Sequence, residues 1–425
     1  MGVLRNGRFL IAERKTDKPC RLTYTFVCHR AKGTDCVTRS LVILSVALAL
    51  SSCAHRAMTA QGLPDEAVIA GYADVAMRET GAKGLAIAVI DNGHVRSVQS
   101  FGDRNTKGDP LTTESLMYGA SLTKTAFGYL VMQLSDEGVV DLDQPIAALL
   151  PKPLPEYGRY DDNGYGDWAD LAEDPRWQQI TPRMILQHST GFANFSFLEP
   201  DQRLHIHFDP GTRYSYSGDG IILLQFALEK GLGLDVEAEM QRRFFAPLGM
   251  KRTSLIWNPK FAPNLADGWK EDGTAVEHDQ RGSVRAAGSM DTTIGDLAKF
   301  VAMIARAEGL SEKAADERIR PGVLIDTLGQ FPTLQDPAPD DQRIAGLAAG
   351  MGVVTFTGPQ GSGWFKGGHN DWTANTLVCL EKGRRCVLIL ANDVRAEAAF
   401  PTLVREILGE TGVPFEWEYR AQYGF

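Results

Sequence analysis

The segment YGASLTKTAFGYLVMQLSDEG, residues 118–138, carries a serine and a lysine three positions apart, Ser121 and Lys124, at the mouth of an apolar run. Ala126, Phe127, Leu130, Val131 and Leu134 recur at helical spacing, which predicts a helix with Ser121 at its opening and Lys124 one turn later on the same side. Serine at such a place is an ordinary N-cap. The capping box, however, wants Glu or Gln three residues on, and a cation in the first turn opposes the helix dipole. Local rules are broken in this way chiefly at functional sites. The pair has a chemical use: a hydroxyl is a weak nucleophile, a neighbouring desolvated amine can take its proton, and N–H groups at the helix opening can hold an oxyanion. This is the equipment of acyl transfer through a serine ester, although Ser-x-x-Lys spacing alone also recurs by chance.

A helix that presents a nucleophile needs a frame. Strand-like runs lie near both ends of the chain: GLAIAVIDNGHVRSVQSFGD early, then segments near 347–356, 373–380 and 385–391. Asn92-Gly93 between apolar runs predicts a hairpin. The stretch DEAVIAGYADVAMRE precedes the first strands and AEAAFPTLVREILGE follows the last; both read as helices, with Pro401 early in the second or kinking it. TAFGYLVMQL, IILLQFAL and IGDLAKFVAMIARA are helical runs between, and 151–179 and 320–345 read as long loops. The expectation is an α+β fold: an antiparallel sheet flanked by terminal helices, built from about 64–115 and 345–415, with a mostly helical subdomain at about 120–340.

The chain has 425 residues, 44% hydrophobic and 23% charged, which excludes disordered and collagen-like classes. Its net charge of -9 argues against nucleic acid as a partner. SLVILSVALALSSC, ending at Cys53, reads as an export signal, its apolar core too short for the roughly 20 residues of a membrane span. Leu50-Ser51-Ser52-Cys53 resembles a lipoprotein cleavage box, so a lipid on Cys53 and a periplasmic membrane face are expected; an ordinary secretory signal is the alternative. Residues 37–53 make a compact signal if Val37 marks the start, 1–36 then being an extension ahead of it; 54–63 read as a linker, and the folded body as 64–415. Cys379 and Cys386 fall opposite each other on two strand-like runs; a disulfide and two buried thiols both fit.

Several blocks in order resemble the serine beta-lactamase and penicillin-binding-protein superfamily, in its class C and esterase-like branch, over about residues 65–410: ASLTKTAFGYLVMQL, GVVDLDQPIAALLP, ITPRMILQHSTGF, PGTRYSYSGDGIILLQFALE and AAGSMDTTIGDLAKFV. The resemblance implies that Ser121 is the nucleophile and that Lys124 and Tyr216 manage its proton. Tyr216-Ser217-Gly218 stands where the family has Tyr-x-Asn, so the asparagine that helps bind a substrate amide is missing. Lys366-Gly367-Gly368 matches the Lys-Thr-Gly strand with glycine in place of threonine; Lys366 would attract a substrate carboxylate, and the His369 N–H would complete an oxyanion hole with that of Ser121. A rival register puts His369 itself in the strand position.

His188 reads as structural, and His205 with His207 lacks the further ligands of a zinc site. No Gly-x-Ser-x-Gly elbow, P-loop or dinucleotide fingerprint is present, and neither metal nor cofactor is expected. The resemblance implies a serine hydrolase acting on a small-molecule or peptide ester or amide carbonyl, esterase or amidase ahead of DD-peptidase and beta-lactamase. The alternative is a non-catalytic envelope lipoprotein that binds cell-wall peptide.

Overall fold

A computed structural model describes residues 62–160 and 166–419. The expected signal, its Cys53 and the extension before it lie outside these residues. In chain order the strands and the helices of eight residues or more are helix α1 (Glu66–Thr80), strands β1 (Gly84–Asp91), β2 (His94–Gly102) and β3 (Met117–Tyr118), helices α2 (Leu122–Asp136) and α3 (Gly218–Leu232), and strands β4 (Gly268–Trp269), β5 (Ala275–Val276) and β6 (Asp291–Thr292). Helices α4 (Ile294–Ala305) and α5 (Glu312–Ile319) follow, then strands β7 (Ala348–Ala349), β8 (Val354–Gly358), β9 (Gly361–Asn370), β10 (Thr373–Leu380) and β11 (Arg385–Ala391), and helix α6 (Phe400–Leu408). Among the described residues no helix is long and apolar enough to cross a membrane.

Seven strands form one antiparallel sheet in the order β2-β1-β11-β10-β9-β8-β7, so two come from the early segment and five from the late one. β1 is apolar at every turn of the pleat because both faces of the sheet are covered. Ala86, Ala88 and Ile90 join a core with Phe127, Leu130 and Phe300. Leu85, Ile87 and Val89 join a second core with Ile69, Leu403 and Ile407, the inner stripes of α1 and α6. Each such Leu, Ile or Phe taken fully from water contributes about 1.5–3 kcal/mol. Pro401 sits in the first turn of α6, where its missing N–H goes unused.

Asn92 and Gly93 close the β1–β2 hairpin, both at positive φ, as a two-residue turn of that twist requires. The β10–β11 hairpin sets Cys379 opposite Cys386, and the pair forms a disulfide. A loop of this length stabilises by about 2.5 kcal/mol in the chain-entropy account. Reduction is therefore expected to lower stability by roughly that amount and to leave kcat/KM on a small ester unchanged below the new melting point, a result that denaturant unfolding with and without reductant checks.

One strand escapes the periodicity. β9 was not among the strand-like runs because Gly361, Gly363, Gly367 and Gly368 interrupt it, and glycine weakens a strand. Gly363 is crowded by the Phe356 ring and the Cys379 carbonyl, and Gly367 and Gly368 by what packs against them in the cleft.

Candidate active site

Ser121 occupies the N-cap position of α2, yet its side chain caps nothing. Its Oγ instead accepts hydrogen bonds from Lys124 Nζ at 3.1 Å and from Tyr216 Oη at 2.8 Å. The capping alternative is thereby set aside. Ala120, just before it, has φ 47°, a left-handed conformation that costs a residue with a Cβ about 1–2 kcal/mol. That corner is held from outside: the Gly119 N–H donates to Met290 O at 2.8 Å, Tyr118 Oη to Gly288 O at 2.6 Å, and Thr123 Oγ1 to Ala120 O at 2.6 Å. The AAGSMDTT segment is thus the buttress of the serine corner.

Lys124 is 1% exposed and also donates to Ala287 O. Burial pushes its ammonium down from the usual lysine range, Tyr216 opposes that fall and the charge of Lys366 adds to it. An amine so placed sheds its proton more readily than a surface lysine.

Tyr216 is held from three sides. Lys124 Nζ and Lys366 Nζ each lie 4.9 Å from its ring centroid, and His188 packs against it at 4.5 Å. Burial first, then the charges of Lys124 and Lys366, hold His188 well below its ordinary value, so it is a neutral acceptor; its Nδ1 takes the Ser217 N–H at 3.2 Å. The structural reading of His188 stands on that geometry. Ser217 Oγ in turn caps α3 by accepting from the Gly220 N–H at 2.9 Å. The missing asparagine has a steric reason: a Cβ on Gly218 would lie 2.2 Å from the Phe195 ring.

β9 runs directly past Ser121. A Cβ on Gly368 would lie 3.0 Å from both the Ser121 and Leu122 nitrogens, so only glycine lets the strand approach the helix opening. Lys366, 2% exposed, donates to Gly367 O at 2.8 Å and lies 3.8 Å from Glu418 Oε1. His369 sends its Nδ1 to Glu397 Oε1 at 2.9 Å; burial works against its imidazolium, but Glu397 outweighs this and holds it above its ordinary value. Of the two registers, Lys366 is the one whose side chain reaches Tyr216. The imidazole of His369 pairs instead with a carboxylate from the segment before α6.

Ser121, Lys124, Tyr216, Lys366, Gly367 and His369 all line one cleft of about 310 Å³. A second cavity, about 690 Å³, adjoins it through Phe331, His369, Asn370 and Glu418. Sequence reasoning missed Glu418, Glu397 and Phe195. None lies in a recognisable motif, and the signal for Glu418 is visible only in retrospect as the glycine at 367. His205 and His207 pair with Asp201 and Glu199, and no group of three metal-binding side chains occurs among the described residues.

Comparison with known proteins bears on the family and the fold. The Beta-lactamase family model matches residues 69–408. The chain is 23% identical over 250 residues to a probable fimbrial assembly protein FimD of Dichelobacter nodosus, covering 53% of this chain and 58% of that one. It is 26% identical over 193 residues to lovastatin esterase of Penicillium rubens, 39% of this chain and 47% of the other. It is also 26% identical over 228 residues to the D-alanyl-D-alanine-carboxypeptidase/endopeptidase AmpH of Escherichia coli, 52% and 58% of the two chains. The chain therefore spans about half the length of the curated relatives it matches. The octameric penicillin-binding protein homologue of Pyrococcus abyssi shares its fold, with TM-score 0.63, 19% identity, and 84% of this chain and 81% of that one covered. Since the family match begins inside α1, ends with the last residue of α6 and takes in the whole sheet between them, the chain belongs to the beta-lactamase family.

Proposed function

We propose that this chain is a serine hydrolase that works through an acyl-enzyme on an ester or amide carbonyl. One observation carries the reading: Lys124 Nζ and Tyr216 Oη, drawn from remote stretches of sequence, both donate to Ser121 Oγ. In the first half-reaction the Ser121 Oγ–carbon bond forms while its proton passes to the Lys124–Tyr216 pair. The bond to the leaving group then breaks, and that proton goes to the departing oxygen or nitrogen. Water repeats the sequence on the serine ester, releasing the acid and restoring the hydroxyl. The backbone N–H groups of Ser121 and His369 are the assigned holders of the oxyanion, which the close passage of Gly368 supports.

Within this chemistry an esterase or amidase is the preferred reading, ahead of D-Ala-D-Ala peptidase and beta-lactamase. The Phe195 ring fills the place of the side chain that would bind a substrate amide. Lovastatin esterase among the relatives supports the ester; AmpH supports the peptide. We further infer export and a lipid on Cys53, a reading supported by the signal-like sequence and by the Cys379–Cys386 disulfide, which suits an oxidising compartment.

The deciding experiment sets chromogenic esters, a beta-lactam and a D-Ala-D-Ala peptide against the folded protein, with fluorophosphonate labelling located by mass spectrometry. Ser121-dependent ester turnover supports the reading; labelling at any other residue, or none, overturns it. Because the Lys124 ammonium is pushed down, and the neutral amine is the base, kcat/KM is expected to rise with pH and level off below the ordinary lysine value of about 10.4. Activity is lost as pH falls through that depressed value. A profile still climbing at pH 10.5 would remove Lys124 from the role.

A further inference from the structure

Strand β9 has a counter-ion of its own. Lys366 would be expected to meet the carboxylate of a substrate, but an internal carboxylate has taken that place. Glu418 stands in the short helix Phe415–Glu418, past residue 408 where the family match ends. Its side chain is 1% exposed, and Oε1 lies 3.8 Å from Lys366 Nζ. The segment is anchored firmly: Trp417 Nε1 donates to Thr327 Oγ1 at 3.2 Å, Tyr419 Oη donates to Asn375 O at 2.8 Å, and both rings are buried.

The same carboxylate explains the glycine at 367. A Cβ there would lie 2.0 Å from Glu418 Oε1 and 2.7 Å from its Cδ. Where the family strand carries threonine, this chain has surrendered the side chain to make room for an acid. Glu418 faces both the cleft and the adjoining cavity, whose wall adds Glu271, Asp272 and Asp371 against Lys270 and His369. His369 already has Glu397 at 2.9 Å. Toward the cavity, then, the cations of β9 are matched internally and the surplus charge is negative.

We propose that Glu418 makes the site reject substrates whose leaving group carries a carboxylate, so that the esters and amides it turns over have neutral or cationic leaving groups. This rests on the hydrolase reading above and narrows it, setting D-Ala-D-Ala peptides and beta-lactams, both anionic beside the scissile bond, outside the preferred class. An entering carboxylate finds Lys366 already paired and a like charge within contact distance, which is repulsive by any dielectric that suits a half-enclosed site.

The test is a ratio. Phenyl acetate and the acetyl ester of 3-hydroxybenzoate share an acyl group and differ by one carboxylate on the leaving group. Wild-type kcat/KM is expected to favour the neutral ester at least tenfold beyond the ratio of their alkaline hydrolysis rates, and Glu418→Gln to shrink that preference at least tenfold. A ratio is indifferent to how much of a weakened variant is folded. Should Glu418→Gln not fold, Lys366→Met provides the second reading: with the cation gone and the acid left, the preference is expected to widen. A wild-type preference under threefold, or one unmoved in the folded Glu418→Gln variant, overturns the proposal. Phosphonate esters bearing the same two leaving groups, scored by the rate of adduct formation on Ser121, keep the two ideas apart. If they label Ser121 while neither acetate is turned over, the hydrolase reading fails and the labelling ratio still decides the role of Glu418.

Discussion

Ser121→Ala is expected to lower kcat/KM on the best ester by about 10⁴-fold or more, and to abolish fluorophosphonate labelling. Lys124 and Tyr216 both donate to the one oxygen this change removes, so no second nucleophile is set up beside the carbonyl. The fold should survive, because the Ser121 side chain caps no backbone N–H of α2 and its loss leaves no helix donor unsatisfied. Steady-state kinetics, with a melting curve alongside, checks both halves. Activity retained in the alanine variant would overturn the assignment of the nucleophile, and with it the proposed reaction.

Lys124→Met is expected to reduce kcat/KM by about 10²- to 10⁴-fold, the usual worth of a positioned general base. It should do so with no loss of stability. The lysine is buried beside another cation, Lys366, and is met by neutral partners, the Ala287 carbonyl and the Ser121 hydroxyl among them, so the folded state bears a desolvation cost that methionine avoids. Against that stands one carbonyl, Ala287 O, that loses a donor. A melting temperature that holds or rises while turnover collapses is the signature of a residue kept for chemistry against the interest of the fold. If activity and stability fell together, Lys124 would be a packing residue after all.

Much of this was legible before any coordinates. The continuous apolar runs of β1 and β11 and the Asn92-Gly93 turn are local signals, and local signals survive translation into structure. Ser121 and Lys124 were legible for the opposite reason, as a breach of helix-capping rules. β9 was hidden from periodicity, and legible only through the resemblance of Lys366-Gly367-Gly368 to a family strand, because the demands of its neighbours overrode strand propensity: Gly368 yields to the helix opening and Gly367 to Glu418. Glu418 could not be seen at all. A carboxylate near the end of a chain is by default solvated, and only the packing of Trp417 and Tyr419 into the second core buries it.

The pairing of β1 with β11 has a consequence for how the molecule is made. Arg385 of the last strand bonds Asp91 of the first across a separation of 294 positions, and most of the sheet hangs on that meeting. A nascent polypeptide cannot close either core until β11 has been synthesised, because both draw on that strand, so folding is late and dominated by high contact order. The strand β9 that flanks Ser121 gains its place in the sheet only once β10 and β11 follow it. A chain of this topology stays open until that late strand is delivered, and the cleft beside Ser121 takes shape only then.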